Sequence, residues 1–145
     1  MILFNIALHQ LLNQDQLKIE EKNTQLIELL IKCNGAIFLN EHKKLIFIDT
    51  SNPEDYLYHF QGNDALFQKE KDMAAINAIL RFFNETLQGD EIIIFYENHL
   101  LKQSYRKITK KYGFSKAKCT SSNARIQKKI YQSFALTRSL KEANL

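Results

Sequence analysis

Residues 92–95 read Ile-Ile-Ile-Phe, flanked by Glu91 on one side and by Tyr96, Glu97 and Asn98 on the other. A continuous apolar run this short has no polar face to turn toward water and is too brief for a helix. It therefore reads as a buried central strand. A strand of that kind commits the chain to a sheet covered by helices, and the neighbouring segments are assigned around it.

Residues 24–33 place Leu26, Leu29, Leu30 and Cys33 on one helical face, and Asn34-Gly35 supplies a left-handed stop. Ala36 to Leu39 and Leu45 to Ile48 flank a polar turn and predict an antiparallel hairpin. Thr50 to Pro53 reads as a loop and 55–60 as a third strand. A helix follows over 72–88 with Asp72 as N-cap, an apolar stripe of Met73, Ile76, Ile79, Leu80, Phe83 and Leu87, and Gly89 as its end. After the strand at 91–96, Asn98 caps a helix that carries Leu101, Tyr105, Ile108 and Tyr112 on one face and closes at Gly113. Residues 115–120 and 129–136 read as two final strands. The expected fold is α/β (α+β): a mixed, mostly antiparallel sheet flanked by helices, in one domain spanning 1–145. Four glycines, one proline and no fixed-period repeat leave no linker to divide it.

Composition bounds the function classes. With 45% hydrophobic and 25% charged residues, disorder and collagen-like structure are excluded. Cys33 and Cys119 belong to no cysteine motif and read as small buried hydrophobes. The apolar N-terminus has no preceding Lys or Arg and no small-residue cleavage site, and no apolar run approaches bilayer length, so a cytoplasmic, non-membrane protein is expected.

The net charge of +4 conceals an asymmetry. Residues 1–100 carry 8 basic against 15 acidic groups, a net −7, whereas 101–145 carry 12 basic groups and Glu142 alone, a net +11. Lys102, Arg106 and Lys110 recur at helical spacing, with Lys107 and Lys111 beside them and no acid between, and Lys116, Lys118, Arg125, Lys128 and Lys129 follow. Lys102, Arg106, Lys110 and Lys111 are the candidate contacts to nucleic acid or to an acidic protein partner. Neutralisation by the acidic part of the same fold, or by a second subunit of a homo-oligomer, is the competing outcome. No helix-turn-helix, zinc-finger or RNP-type pattern is evident for base-specific reading. His9, His42, His59 and His99 are far apart and show no metal-ligand spacing, so no metal site is expected. Asp49, Glu91 and Glu97 at strand ends would imitate a nuclease carboxylate cluster.

The order of elements, together with Glu91-Ile-Ile-Ile-Phe-Tyr-Glu-Asn98 and the later Tyr112-Gly113-Phe114, resembles the C-terminal half of the GNAT acyltransferase superfamily. There a central strand leads into a helix that ends in Gly-Phe, followed by a terminal antiparallel hairpin. The resemblance covers roughly residues 24–137, mostly as pattern. It implies an N-acetyltransferase moving acetyl from acetyl-CoA to an amine, with Glu97 or a water as general base and Tyr105 as general acid. The stretch Phe67 to Ala74 would stand for the pyrophosphate loop. Gln68, Lys69, Lys71 and, after the strand, Asn98 are the implied cofactor-binding residues. Lys71 and Met73 occupy positions where that family has glycine or another small residue. The alternative is a non-catalytic protein of the same fold that binds through its basic helix and terminal hairpin.

Overall fold

The computed structural model describes residues 4–33, 36–49 and 53–143. In chain order the elements are α1 (Phe4–Leu12), α2 (Ile19–Ile31), β1 (Ile37–Leu39), β2 (Leu45–Phe47), α3 (Pro53–His59) and α4 (Asn63–Thr86). α5 (Asp90–Ile94) runs on as a π-helical turn over Phe95–Leu100. Then come α6 (Tyr105–Tyr112), α7 (Lys116–Ile126), which continues as a π turn over Gln127–Tyr131, and α8 (Phe134–Glu142).

The expected mixed sheet does not form. Among the described residues the only sheet is the hairpin, in antiparallel register with Ile37 opposite Phe47 and Leu39 opposite Leu45. That hairpin was legible in the sequence. The strand expected at 55–60 lies in α3, those at 115–120 and 129–136 lie in α7, its π turn and α8, and the central strand at 91–96 is helical. The Asn34-Gly35 stop and residues 50–52 of the expected loop lie outside the described residues.

The helical state of 91–96 has a clear physical cause. Gly89, at φ 54°, breaks the chain after α4, and Asp90 and Glu91 stand in the first turn of α5. The Glu91 carboxylate accepts from the Gln88 amide at 2.9 Å, reaching back three residues as a capping-box acid does. Ile92, Ile93, Ile94 and Phe95 are all buried, and a helix surrounded on every side is apolar all round. The helix is also longer than the apolar run suggests. Glu97, buried, and Asn98 and His99, half-buried, carry it on to Leu100, making polar contacts inside the fold.

α4 is the central element. Ala75, Ile76, Ile79, Leu80 and Phe83 are buried along it, and it packs against α1, α3, β2 and α8. Asn84 ties the hairpin to it, accepting from the Leu45 amide at 2.8 Å and donating to the Leu45 carbonyl at 2.9 Å. Asp72 does not begin this helix as expected. It lies buried within α4 and accepts from the Asn5 amide at 2.8 Å, so it caps α1 across 67 residues of sequence, and the Tyr56 hydroxyl donates to the same carboxylate. On the other side of the core, α2 packs against α8 and the second π turn, and α5 packs against α7. Phe83 and Phe95 meet edge to face at 4.8 Å between centroids, joining the two sides.

Asn23 of α2 shows how the second π turn is held. Its side-chain amide donates to the carbonyls of Ile130, Tyr131 and Ser133, the last at 2.9 Å, while its oxygen accepts from the Thr137 hydroxyl at 2.9 Å. One fully buried residue thus closes the carbonyl end of the π turn and anchors the start of α8.

Candidate nucleic-acid interface

The basic third folds into consecutive helices rather than into a helix and hairpin. Ser104 caps α6 by accepting from the Lys107 amide at 3.3 Å, and Gly113 ends it in the left-handed conformation at φ 76°. Two residues later Ser115 caps α7, accepting from the Lys118 amide at 3.0 Å. Stop and start are thus compressed into Gly113-Phe114-Ser115. α6 packs on α7, α5 packs on α7, and the π turn after α5 packs on α6. Ile108, Cys119 and Ile126 are buried within this three-helix unit, with Tyr112 and Phe114 stacked at 5.5 Å beside it. Two helices joined by a three-residue, glycine-containing turn and braced by a third thus form a compact helical unit, an arrangement the sequence pattern did not disclose.

The ten cations from Lys102 to Lys129 divide into two groups. Lys102 lies 3.6 Å from Glu28, Lys111 2.8 Å from Glu97, Arg125 3.0 Å and Lys129 2.7 Å from Glu91, and Lys118 pairs with Asp90. Self-neutralisation by the acidic part of the fold is therefore real for these five. Arg106, Lys107 and Lys110 on α6, Lys116 at the start of α7 and Lys128 in its π turn are exposed and form no ion pair among the described residues. Of the four candidate contacts, Arg106 and Lys110 are free and Lys102 and Lys111 are paired. Between Lys116 and Lys128 the exposed residues are Ala117, Thr120, Ser121 and Ala124, all small, followed by Arg125 and Gln127 at the C-terminal end, so it is the N-terminal two turns of α7 that present small side chains.

The two expected catalytic residues have different partners. The buried Glu97 carboxylate accepts from Lys111 Nζ and, at 2.7 Å, from the Tyr112 hydroxyl. Burial, then the bond to Glu97, raises Tyr112 above the ordinary tyrosine value and keeps that donor protonated; the same carboxylate raises Lys111. Tyr105 belongs to another group, described below. Gln68, Lys69 and Lys71 lie on α4, where the main-chain amides are committed to helical hydrogen bonds and form no phosphate loop. Gln68 accepts from Asn5 at 3.4 Å, Lys69 pairs with Asp49 at 3.0 Å, and Lys71 sits 4.4 Å over the Phe67 ring. Asn98 lies on the first π turn with none of these beside it. Asp49, Glu91 and Glu97 pair with different cations, Glu91 with two, rather than forming one carboxylate cluster. No group of three His, Cys, Asp or Glu suited to a metal ion occurs among the described residues. Both cysteines are buried, and burial, then Asp72, pushes Cys33 up to about 11.

Sequence reasoning missed a polar group that joins these helices. The Tyr131 hydroxyl and His99 Nδ1 are 2.8 Å apart, and His99 Nε2 is 2.7 Å from Asn123 Oδ1. Asn123 Nδ2 donates to Asn98 Oδ1 at 3.1 Å and to the Tyr105 hydroxyl, and Asn98 Nδ2 donates to the Gln103 carbonyl at 2.8 Å. Burial, against the Asn123 bond and with help from Lys102, lowers His99 below the usual histidine range, so the ring is neutral. Burial, then Glu28, pushes Tyr131 up to about 12, which keeps its hydroxyl a donor. The directions are then fixed: Tyr131 donates to Nδ1, and Nε2–H donates to Asn123. Partners 24 and 32 residues apart leave no local pattern from which this group could be read.

No protein-family model, curated protein or solved structure matches this chain. No helix among the described residues is long and apolar enough to cross a membrane.

Proposed function

We propose that this protein binds double-stranded DNA through the α6–turn–α7 unit. In this mode the first helix lies against the phosphate backbone and the N-terminal part of the second enters the major groove. The observation that carries the reading is the set of five exposed cations on α6, on α7 and in its π turn that form no ion pair among the described residues, beside the small exposed side chains of the first two turns of α7. Arg106, Lys107 and Lys110 would neutralise phosphates along one strand, and Lys116 and Lys128 would do so along α7. Ala117, Thr120, Ser121 and Ala124 would lie closest to the base edges, where hydroxyls and methyl groups make short contacts.

Fluorescence anisotropy with a labelled duplex, repeated over a salt series, tests this directly. Five phosphate contacts correspond to a log–log salt slope of about −4.5, or roughly a 500-fold loss of affinity between about 50 and 200 mM salt. Replacing Arg106, Lys107 and Lys110 together by alanine should reduce the slope to about −2. Lys18→Ala with Lys32→Ala, on the acidic side of the sequence, should leave it unchanged. Absence of binding at low salt, or an unchanged slope in the triple variant, would remove α6 and α7 from the function. Stronger binding to single-stranded RNA than to the duplex would overturn the groove mode.

A further inference from the structure

The cations of the interface lie on two short helices, and α6 has only eight residues with one fully buried side chain, Ile108. Packing alone holds so short a helix weakly, because little apolar surface is removed from water along it. Yet a duplex sets fixed distances between its phosphates, so the cations of α6 and α7 engage together only if the two helices keep one relative placement.

The structure assigns that placement to the Tyr105–Asn123–His99 group, and we infer that Asn123 is the positioning residue of the DNA-binding unit. This inference rests on the DNA-binding reading above. Asn123 lies in α7 and is 6% exposed. Its amide nitrogen donates to Tyr105, the first residue of α6, and to Asn98 of the first π turn; its oxygen accepts from His99 of the same turn. One side chain of α7 therefore bonds both α6 and the π turn against which α6 packs. The Asn123 oxygen has a donor and both of its amide hydrogens have targets, and a buried side chain so satisfied holds one arrangement against alternatives that would leave its polar atoms unpaired.

The π turns contribute to this geometry. A π turn carries an extra residue relative to an α-helix and rotates the side chains that follow it. Leu101 and Gln132 both donate five residues back, to Tyr96 and Gln127, closing the two π turns. His99 and Tyr131 lie one in each turn and meet, with ring centroids 5.4 Å apart, and His99 also stacks on Phe95 at 5.4 Å. Asn23 holds the second turn from α2. The polar chain thus runs from the helical core, through Tyr131 and His99, to the residue that sets α6 against α7. Asn123 touches no nucleic acid in this scheme; it acts through the cations it places.

The test uses the full chain and leaves every cation in place. Tyr105→Phe removes one oxygen and keeps the ring, whereas Asn123→Ala removes the centre of the group. Both are compared with the unaltered protein by duplex anisotropy over a salt series, well below the thermal midpoint of each variant. If α6 and α7 lose their shared placement, only one set of cations engages at a time. With the three of α6, the slope should fall from about −4.5 toward about −2.7. Affinity at low salt should drop by about tenfold or more. A variant that is merely less stable would keep the slope, because its folded fraction would bind as before. Retention of both slope and affinity by Tyr105→Phe and Asn123→Ala would overturn the positioning role while leaving DNA binding intact. If Asn123→Ala does not fold, Tyr105→Phe decides alone. Failure of the unaltered protein to bind the duplex is a different result and overturns the DNA-binding reading itself.

Discussion

Glu91→Gln tests the joint that fastens the DNA-binding unit to the rest of the fold. Glu91 is 6% exposed and holds three donors: the Gln88 amide at 2.9 Å, Arg125 at 3.0 Å and Lys129 at 2.7 Å. The first fixes the start of α5, and the other two bind α5 to α7 and its π turn. Glutamine keeps the shape and one acceptor oxygen but removes the charge and presents an amide to two cations. A hydrogen bond to a charged group contributes about 1.5–3 kcal/mol when buried. Here the Arg125 side chain is 54% and that of Lys129 32% exposed, so water screens both pairs. About 1 kcal/mol each is the appropriate scale. The expected loss is therefore about 2 kcal/mol, or roughly 4–8 °C in Tm for a chain of this size.

The pH dependence supplies an independent check. Burial is the largest single influence on Glu91 and opposes ionisation. Lys129, the Gln88 amide and Arg125 together overcome it and hold the carboxyl below the ordinary glutamate value. A lowered folded value means that the carboxylate stabilises the protein above the unfolded-state value, and that this contribution is lost as pH falls through the folded one. Urea denaturation followed by far-UV circular dichroism should show the full deficit of Glu91→Gln near neutrality and a shrinking deficit below about pH 4. Equal midpoints at neutral pH, or a deficit undiminished in acid, would refute the assignment of the α5–α7 joint to this carboxylate.

Two other changes probe the frame. Asn23→Ala leaves the carbonyls at the end of the second π turn and the Thr137 hydroxyl without their buried partner, and should cost about 3 kcal/mol or more by the same denaturation assay. Lys102 holds φ 58°, a conformation that L-residues adopt at a cost, and its pair with Glu28 is exposed at 3.6 Å. Lys102→Gly should therefore raise stability by about 1 kcal/mol, seen as a higher thermal midpoint.

Local chemistry was legible wherever a residue acts on its own neighbours. The Ile37–Phe47 hairpin, the Ile76–Ile79–Leu80–Phe83 stripe of α4 and the stop at Gly113 follow from two short apolar runs about a polar turn, helical spacing and glycine's freedom at positive φ. The serines at 104, 115 and 133 each cap a helix within three residues, and that signal, had it been weighed, would have replaced the last strands by helices. The central run at 92–95 was ambiguous for a deeper reason: burial on all sides erases the periodicity that separates strand from helix.

The sequence by itself determined the charge asymmetry, the hairpin, the existence of α4 and the basic stretch. Only the tertiary structure decided which cations remain free, because ion pairing depends on acids 14 to 74 residues away, from Glu97 beside Lys111 to Glu28 beside Lys102. It also decided that Glu97 is a buried partner of Lys111 and Tyr112, that Asp72 caps a distant helix, and that His99, Asn123 and Tyr131 meet. Each of these is a polar group removed from water, and such a group takes whatever partner the packing brings to it, which no spacing along the chain specifies.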